Sequence, residues 1–267
     1  MADKAYRFVV IGAGGIGSSL CNYLAMMLEY KAPFSGLLIV DGDTFEPKNK
    51  ERQLFKEYGN KAESLAADLA PQYSKTAIIP IGKWVVETVP EDAESDTLIT
   101  AASLLQEGDV IFPVVDNFKA RKLIFDVAST MDNIDVISAG NDDALFCSMY
   151  HYQRRDGKDV TMHPRHLHPE YENPPDRNPG ELSCQERAAI EGGTQLLAAN
   201  VGATALILGK VQTVVFDAAE RDDENEDYPD ETFWQMDQGL AASFNRSAEQ
   251  LASAEVEAGT LTTTGVS

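Results

Sequence analysis

The run Gly12-Ala13-Gly14-Gly15-Ile16-Gly17 constrains this chain more than any other feature. It follows a short apolar stretch, Phe8-Val9-Val10-Ile11. It precedes Ser18 to Leu28, where Leu20, Tyr23, Leu24 and Met27 recur at helical spacing. Glycines between a strand and a helix let the backbone turn tightly and approach phosphate oxygens, and the helix amino terminus offers oriented N–H groups. A second apolar run, Leu37-Leu38-Ile39-Val40, delivers Asp41 24 positions after Gly17, where a carboxylate can accept hydrogen bonds from ribose hydroxyls. The pattern predicts a nucleotide site, with NAD, FAD and ATP all open.

The rest of the chain supplies the partners such a unit needs. Lys61 to Ala70 reads as a helix stopped by Pro71, and Thr76 to Ile81 as a third strand. Val110 to Val115 is a further strand ending at Asp116, with a helix from Phe118 to Met131 behind it. Asp135 to Ser138 is a short strand, and Ala144 to Gln153 alternates like an antiparallel strand near the sheet edge. Strands separated by helices predict an α/β fold: a doubly wound, mostly parallel, Rossmann-like sheet with antiparallel edge strands. Asp156 to Pro179, rich in Pro, His and charge, reads as a long loop. A helix is expected from about Gln185 to Gly209 with Leu196, Leu197, Val201, Leu206 and Ile207 inward. Asp217 to Glu231 carries nine acids and one arginine. Composition therefore divides the chain into a nucleotide-binding domain, 1–216, and a flexible acidic linker and tail, 217–267.

Charge and cysteine usage narrow the partners. With 43 acids against 22 bases the formal net charge is −21, which repels nucleic acid and anionic membrane and favours a neutral or basic protein. Three cysteines, Cys21, Cys147 and Cys184, with no CxxC pair, argue against a disulfide framework or structural zinc. No run of 18 apolar residues and no leader-like segment are read, so a cytoplasmic protein is expected.

The loop after Asp41 discriminates among nucleotides. Asp43, Asn49, Arg52, Gln53 and Lys61 crowd one connection beside the glycine loop. The pyrophosphate of NAD is already held by backbone N–H groups, whereas ATP brings more charge, and transfer at its α-phosphorus spreads further charge over oxygen. Arg and Lys answer that need. Asp116, at the end of another strand, is placed to hold Mg²⁺ through one carboxylate.

The runs VVIGAGGIGSSL, LLIVDGDTFEPKNKERQLF, YGNKAESLA and VVDNFKAR, in this order, resemble the ubiquitin-activating (ThiF/MoeB) superfamily of adenylating enzymes. ISAGNDDALFCSMYHYQ and PGELSCQERAAIEGG are similar to later segments of that superfamily, so the likeness spans roughly residues 6–210. The resemblance implies that the glycine loop (Gly12, Gly14, Gly15, Gly17) cradles ATP and that Asp41 binds ribose. Asn49, Arg52, Gln53 and Lys61 would contact the phosphates and orient the attacking carboxylate. Asp116 would coordinate Mg²⁺, and Asn117 and Arg121 would support that loop. The implied reaction joins AMP to the C-terminal carboxylate of a ubiquitin-like or sulfur-carrier protein, releasing pyrophosphate, and the implied assembly is a homodimer.

Cys184 begins a helix by this reading, between Arg177 and Arg187, and in some members a cysteine near this place takes up the carrier as a thioester. A spectator role for Cys184 is the competing reading, while Cys21 and Cys147 read as core. His163, His166 and His168 are closely spaced but lack further ligands for a metal site. Two departures from the superfamily stand out: the zinc-binding CxxC pairs are absent, and only seven residues, Arg7 among them, precede Phe8. Competing functions are adenylation of a peptide or nucleoside, a non-catalytic nucleotide-binding scaffold or subunit of an activating complex, and an NAD-dependent oxidoreductase.

Overall fold

The computed structural model describes residues 5–51, 53–90, 95–141, 145–182, 196–217 and 229–246. Five strands run parallel, from β3 (Ala77–Ile81) at one edge through β2 (Gly36–Val40), β1 (Arg7–Ile11) and β6 (Val110–Pro113) to β7 (Ile134–Asn141). β8 (Phe146–Arg155) then runs antiparallel to β7, and β10 (Glu231–Gln235) and β11 (Leu240–Phe244) continue the antiparallel flank. The order across the sheet is β11-β10-β8-β7-β6-β1-β2-β3, with β9 (Lys158–Asp159) paired to the end of β8. A separate parallel pair, β4 (Trp84–Val86) with β5 (Leu98–Thr100), lies off this path.

Alternate residues of the central strands feed two cores, which is why those strands are apolar without interruption. Phe8, Val10, Leu37, Ile39 and Phe112 face α1 (Gly15–Lys31) and α2 (Lys61–Leu69). Val9, Ile11, Leu38, Ile111 and Val136 face α3 (Ala101–Leu104) and α4 (Phe118–Ala128). All ten of these side chains are buried, each contributing roughly 1.5–3 kcal/mol relative to exposure. The chain leaves β1 toward β2 and β3 on one side and returns as β6 and β7 on the other. Such a reversal opens a crevice at the carboxyl ends of the strands.

Two sequence expectations need correction. The last helix, α5 (Leu197–Val211), packs against α1, β7 and β8, but Leu197 and Val201 point outward, 54% and 51% exposed. Ile207 is buried as expected, with Leu206 packed against the core, but the first turns of the inward face are built from small and polar residues, Ala199, Asn200, Gly202, Ala203 and Thr204. The expected start of this helix, 185–195, lies outside the described residues. With its π-turn continuation, the stretch Leu197–Phe216 is long and apolar enough to cross a membrane, but half of it is buried in this core. The second correction concerns 217–267, which is not a uniform tail. Glu231–Gln235 and Leu240–Phe244 form a hairpin that completes the sheet, registered through Glu231↔Tyr150 and Phe233↔Ser148. Local acidity masked the alternation of Thr232-Phe233-Trp234.

Candidate nucleotide-binding site

The crevice is a cavity of about 1010 Å³, at the upper end of the roughly 300–1,000 Å³ of small-molecule sites. The glycine loop forms its rear wall. Gly12 has φ +98°, and a Cβ there would lie 2.9 Å from Val115 Cγ1. A Cβ on Gly17 would lie 1.9 Å from the Gly12 carbonyl oxygen, so glycine alone lets the helix start this close to the strand. At Gly14 a Cβ would meet nothing within 4 Å, which leaves the turn open toward the cavity.

Asp41 follows β2 and braces this loop: its Oδ2 accepts from the Ala13 N–H at 2.6 Å and its Oδ1 from the Asp43 N–H at 2.8 Å. Burial pushes its carboxyl above the usual range, with Lys61 and the two N–H groups pulling the other way. Lys61 opens α2 behind its N-cap, Asn60, and its ammonium lies 2.5 Å from Asp43 Oδ2. Burial alone would lower the Lys61 pKa, but Asp41, Asp43 and Asp116 outweigh it and hold it raised. A buried ammonium, held in its charged form by three carboxylates, thus lines the cavity. The loop carrying it is pinned at both ends, by the Thr44–Asn60 bridge and by Leu54 N–H donating to Ser18 Oγ on α1. Asn49 Oδ1 accepts from the Glu46 N–H, which fixes the turn. Gln53 is buried beside it, and its Oε1 has no partner among the described residues.

Asp116 is exposed in the cavity. Its neighbours are committed elsewhere. Asn117, not Asp116, caps α4, accepting from Ala120 N–H at 2.8 Å and donating to the Arg177 carbonyl. Arg121 donates to the carbonyls of Val115 and Ala139 and so locks β6 and β7 around the loop. Asp116 is thereby left presented to the cavity.

Of the expected site residues, Gly12, Gly14, Gly15, Asp41, Asp43, Asn49, Gln53, Lys61, Asp116 and Asn117 line the one cavity, and Gly17 lies behind it. Arg52 and Cys184 lie outside the described residues. Cys21 and Cys147 are buried. Arg7 is at the far end of β1, paired with Asp109. The three loop histidines serve different places. His163 is buried between Phe125 and Tyr152, and burial with Arg165 beside it lowers its pKa to about 4. His166 is exposed, and His168 reaches Glu231.

Four features escaped the sequence reading. Asn141, at the end of β7, lines the cavity with an Nδ2 that has no partner among the described residues. Trp84 packs on Gly42 beside Asp41, where a Cβ would lie 2.4 Å from the indole. Glu231 and Phe233 come from the C-terminal hairpin. Only Asn200, fully buried behind Gly15, had left a signal, as an amide inside an otherwise apolar helical run.

A family model described as the ThiF family matches residues 3–239. The chain belongs to the ThiF family. Among curated relatives, the adenylyltransferase and sulfurtransferase UBA4 of Lodderomyces elongisporus is 28% identical over 138 residues, 51% of this chain and 28% of that protein. The adenylyltransferase and sulfurtransferase MOCS3 of Bos taurus is 34% identical over 122 residues, 46% of this chain and 24% of that protein. The match therefore spans about a quarter of each relative's length. Among solved structures, PaaA superposes with a TM-score of 0.60 at 14% identity, covering 91% of this chain and 64% of that one. Escherichia coli MccB with ATP gives 0.58 at 16%, covering 92% and 65%. These likenesses fix the ThiF fold: a mixed sheet, mostly parallel, flanked by helices.

The cavity suits a nucleotide with a divalent ion. The open turn at Gly14 can admit phosphate, Gln53 Oε1 and Asn141 Nδ2 are buried polar atoms awaiting partners, and Asp116 offers the single carboxylate typical of a Mg²⁺ site.

Proposed function

We propose that this ThiF-family chain is an ATP- and Mg²⁺-dependent adenylyltransferase that activates the C-terminal carboxylate of a small ubiquitin-like or sulfur-carrier protein. The observation that carries the proposal is the convergence of an open glycine turn, a buried charged Lys61 and an exposed Asp116 on one cavity. Magnesium bound at Asp116 would supply neutralisation of the phosphate charge. Asp41 would hold the ribose, and the glycine loop and the α1 amino terminus would hold phosphate oxygens. A carboxylate oxygen of the acceptor forms a bond to the α-phosphorus, the bond to the β-phosphate bridge oxygen breaks, and pyrophosphate leaves with that electron pair. No protein nucleophile is needed, so Lys61, with Arg52, acts by positioning and by stabilising charge on the transferring group.

Isothermal titration with Mg-ATP and, separately, with NAD⁺ tests this. Micromolar binding of Mg-ATP alone, lost in Asp116→Ala, supports it; preference for NAD⁺, or binding of neither, sinks it.

The proposal extends to a homodimer. Tyr23, Met26 and Tyr30 on α1 and Leu197 and Val201 on α5 are all at least 47% exposed, and the two helices that carry them pack against each other. In a chain of net charge −21, exposed apolar side chains are where two copies meet with least repulsion. Light scattering of wild type and Val201→Glu checks it: a dimer that becomes monomeric on substitution is expected, and a monomeric wild type refutes it.

A further inference from the structure

A second cavity, of about 340 Å³, opens at the other end of the sheet from the nucleotide site, at the amino ends of β1, β6 and β7. Val110, Ile134, Val214 and Val215 give it apolar walls. The last two belong to Gln212–Phe216, where α5 continues as a π-turn. Such turns are rare and cluster at functional sites. Tyr6 stands beside them, its hydroxyl donating to the Val215 carbonyl at 3.2 Å. Asp135 and Arg155 form the polar side, with Arg155 Nη2 donating to Asp135 Oδ2 at 2.6 Å. The other carboxylate oxygen is occupied too: Asp135 Oδ1 lies 3.0 Å from His151 Nε2 and accepts from Gln153 Nε2 at 2.9 Å. Burial would raise this carboxyl, but its partners hold it down to about 2. Asp135 therefore stays ionised and has no proton to give a ligand.

Spare capacity is left on Arg155. Its Nη1 donates to the carbonyls of Ile134 and Arg154, and its Nη2 gives one proton to Asp135. A guanidinium carries five N–H groups. The remaining two, on Nε and Nη2, have no partner among the described residues, and the side chain is 40% exposed. Asn133, whose Oδ1 accepts from the Asp156 N–H, has an uncommitted Nδ2 at the same cavity. Arg155 and Asn133 thus offer donors beside an apolar wall. We infer that this cavity is a second ligand site, which takes a small carboxylic acid with an apolar body, its carboxylate on Arg155 and Asn133. A carboxylate can accept two parallel N–H bonds from one guanidinium, which a neutral amide cannot match. The volume lies inside the roughly 300–1,000 Å³ of small-molecule sites. The site shares no lining residue with the nucleotide cavity and does not depend on the adenylation reading.

The test titrates phenylacetate and phenylacetamide, which match in shape, against the full chain by ligand-observed NMR. Phenylacetate should bind with a Kd of about 1 mM or below, and the amide about tenfold more weakly. Saturating Mg-ATP should not displace phenylacetate. Arg155→Lys keeps a cation for Asp135 but lacks the planar fork, and should bring the acid down to the affinity of the amide. Val214→Phe should fill the cavity and weaken both ligands, with thermal unfolding showing that each variant is folded. Because one change alters the donors and the other the volume, misfolding of one cannot mimic both. Equal affinity for acid and amide, no binding of either, or displacement by Mg-ATP overturns the assignment.

Discussion

The carboxamide of Asn200 occupies the space that a side chain on Gly15 would require: a Cβ built there would lie 2.3 Å from Asn200 Nδ2. Asn200 is fully buried, and neither amide atom has a hydrogen-bond partner among the described residues. Gly15→Ala should therefore destabilise by about 1–3 kcal/mol through overpacking and weaken Mg-ATP binding by shifting the turn. Asn200→Ala should relieve much of that cost. A double-mutant cycle in urea should give a coupling of about 1 kcal/mol or more; additive effects would show that the contact is slack.

Lys61→Met removes a buried ammonium without changing the length of the stem. Adenylation, followed as ATP–pyrophosphate exchange with a competent acceptor, should fall by about 10²–10³. Mg-ATP affinity should change far less, since the glycine loop is untouched. A parallel loss of both would mean that Lys61 serves ground-state binding only.

Asp116→Asn keeps the shape of the loop, because Asn117 and Arg121 hold it independently. Mg-ATP binding should fall to the weak level seen without metal, so that titrations with and without EDTA coincide. Retained Mg²⁺ dependence would move the metal ligand elsewhere.

The His168–Glu231 clamp gives hairpin docking a pH window. The hydrogen bond that His168 donates to Glu231 raises the His168 pKa. Its contribution is complete below the ordinary value of about 6.5 and is lost as pH climbs through the raised value. Burial would raise the Glu231 pKa, but His168 and Arg246 hold it lowered. Its contribution is complete above about 4.3 and is lost as pH falls through the lowered value. Glu170, 3.7 Å from His168 Nδ1, faces the same pair. Thermal unfolding should thus show stability declining above neutrality, and His168→Gln should flatten that slope while costing roughly 1–2 kcal/mol at pH 6.

The nucleotide half of the molecule was legible because its signals are local. The glycine run, the two apolar strands and Asp41 each occupy a few consecutive residues, and physical chemistry leaves little choice about their geometry. The last helix and the hairpin were misread for the opposite reason. Leu197 and Val201 look like core until the packing of this helix is known, and it is Asn200 and Thr204 that meet α1, at Gly15 and Ser19. Phe233 becomes part of a site only by pairing with β8, a contact that acidity at 217–231 conceals from any local window. Asn141 is orphaned only in three dimensions.

The position of β10 in the chain also orders events in time. The glycine loop, Lys61 and Asp116 all precede β8, which ends at Arg155, whereas its neighbour β10 begins only at Glu231. At roughly 5–20 residues per second, a ribosome takes on the order of several seconds to cross that gap. During synthesis the glycine loop, Lys61 and Asp116 therefore exist before β10 arrives to complete the cavity they line.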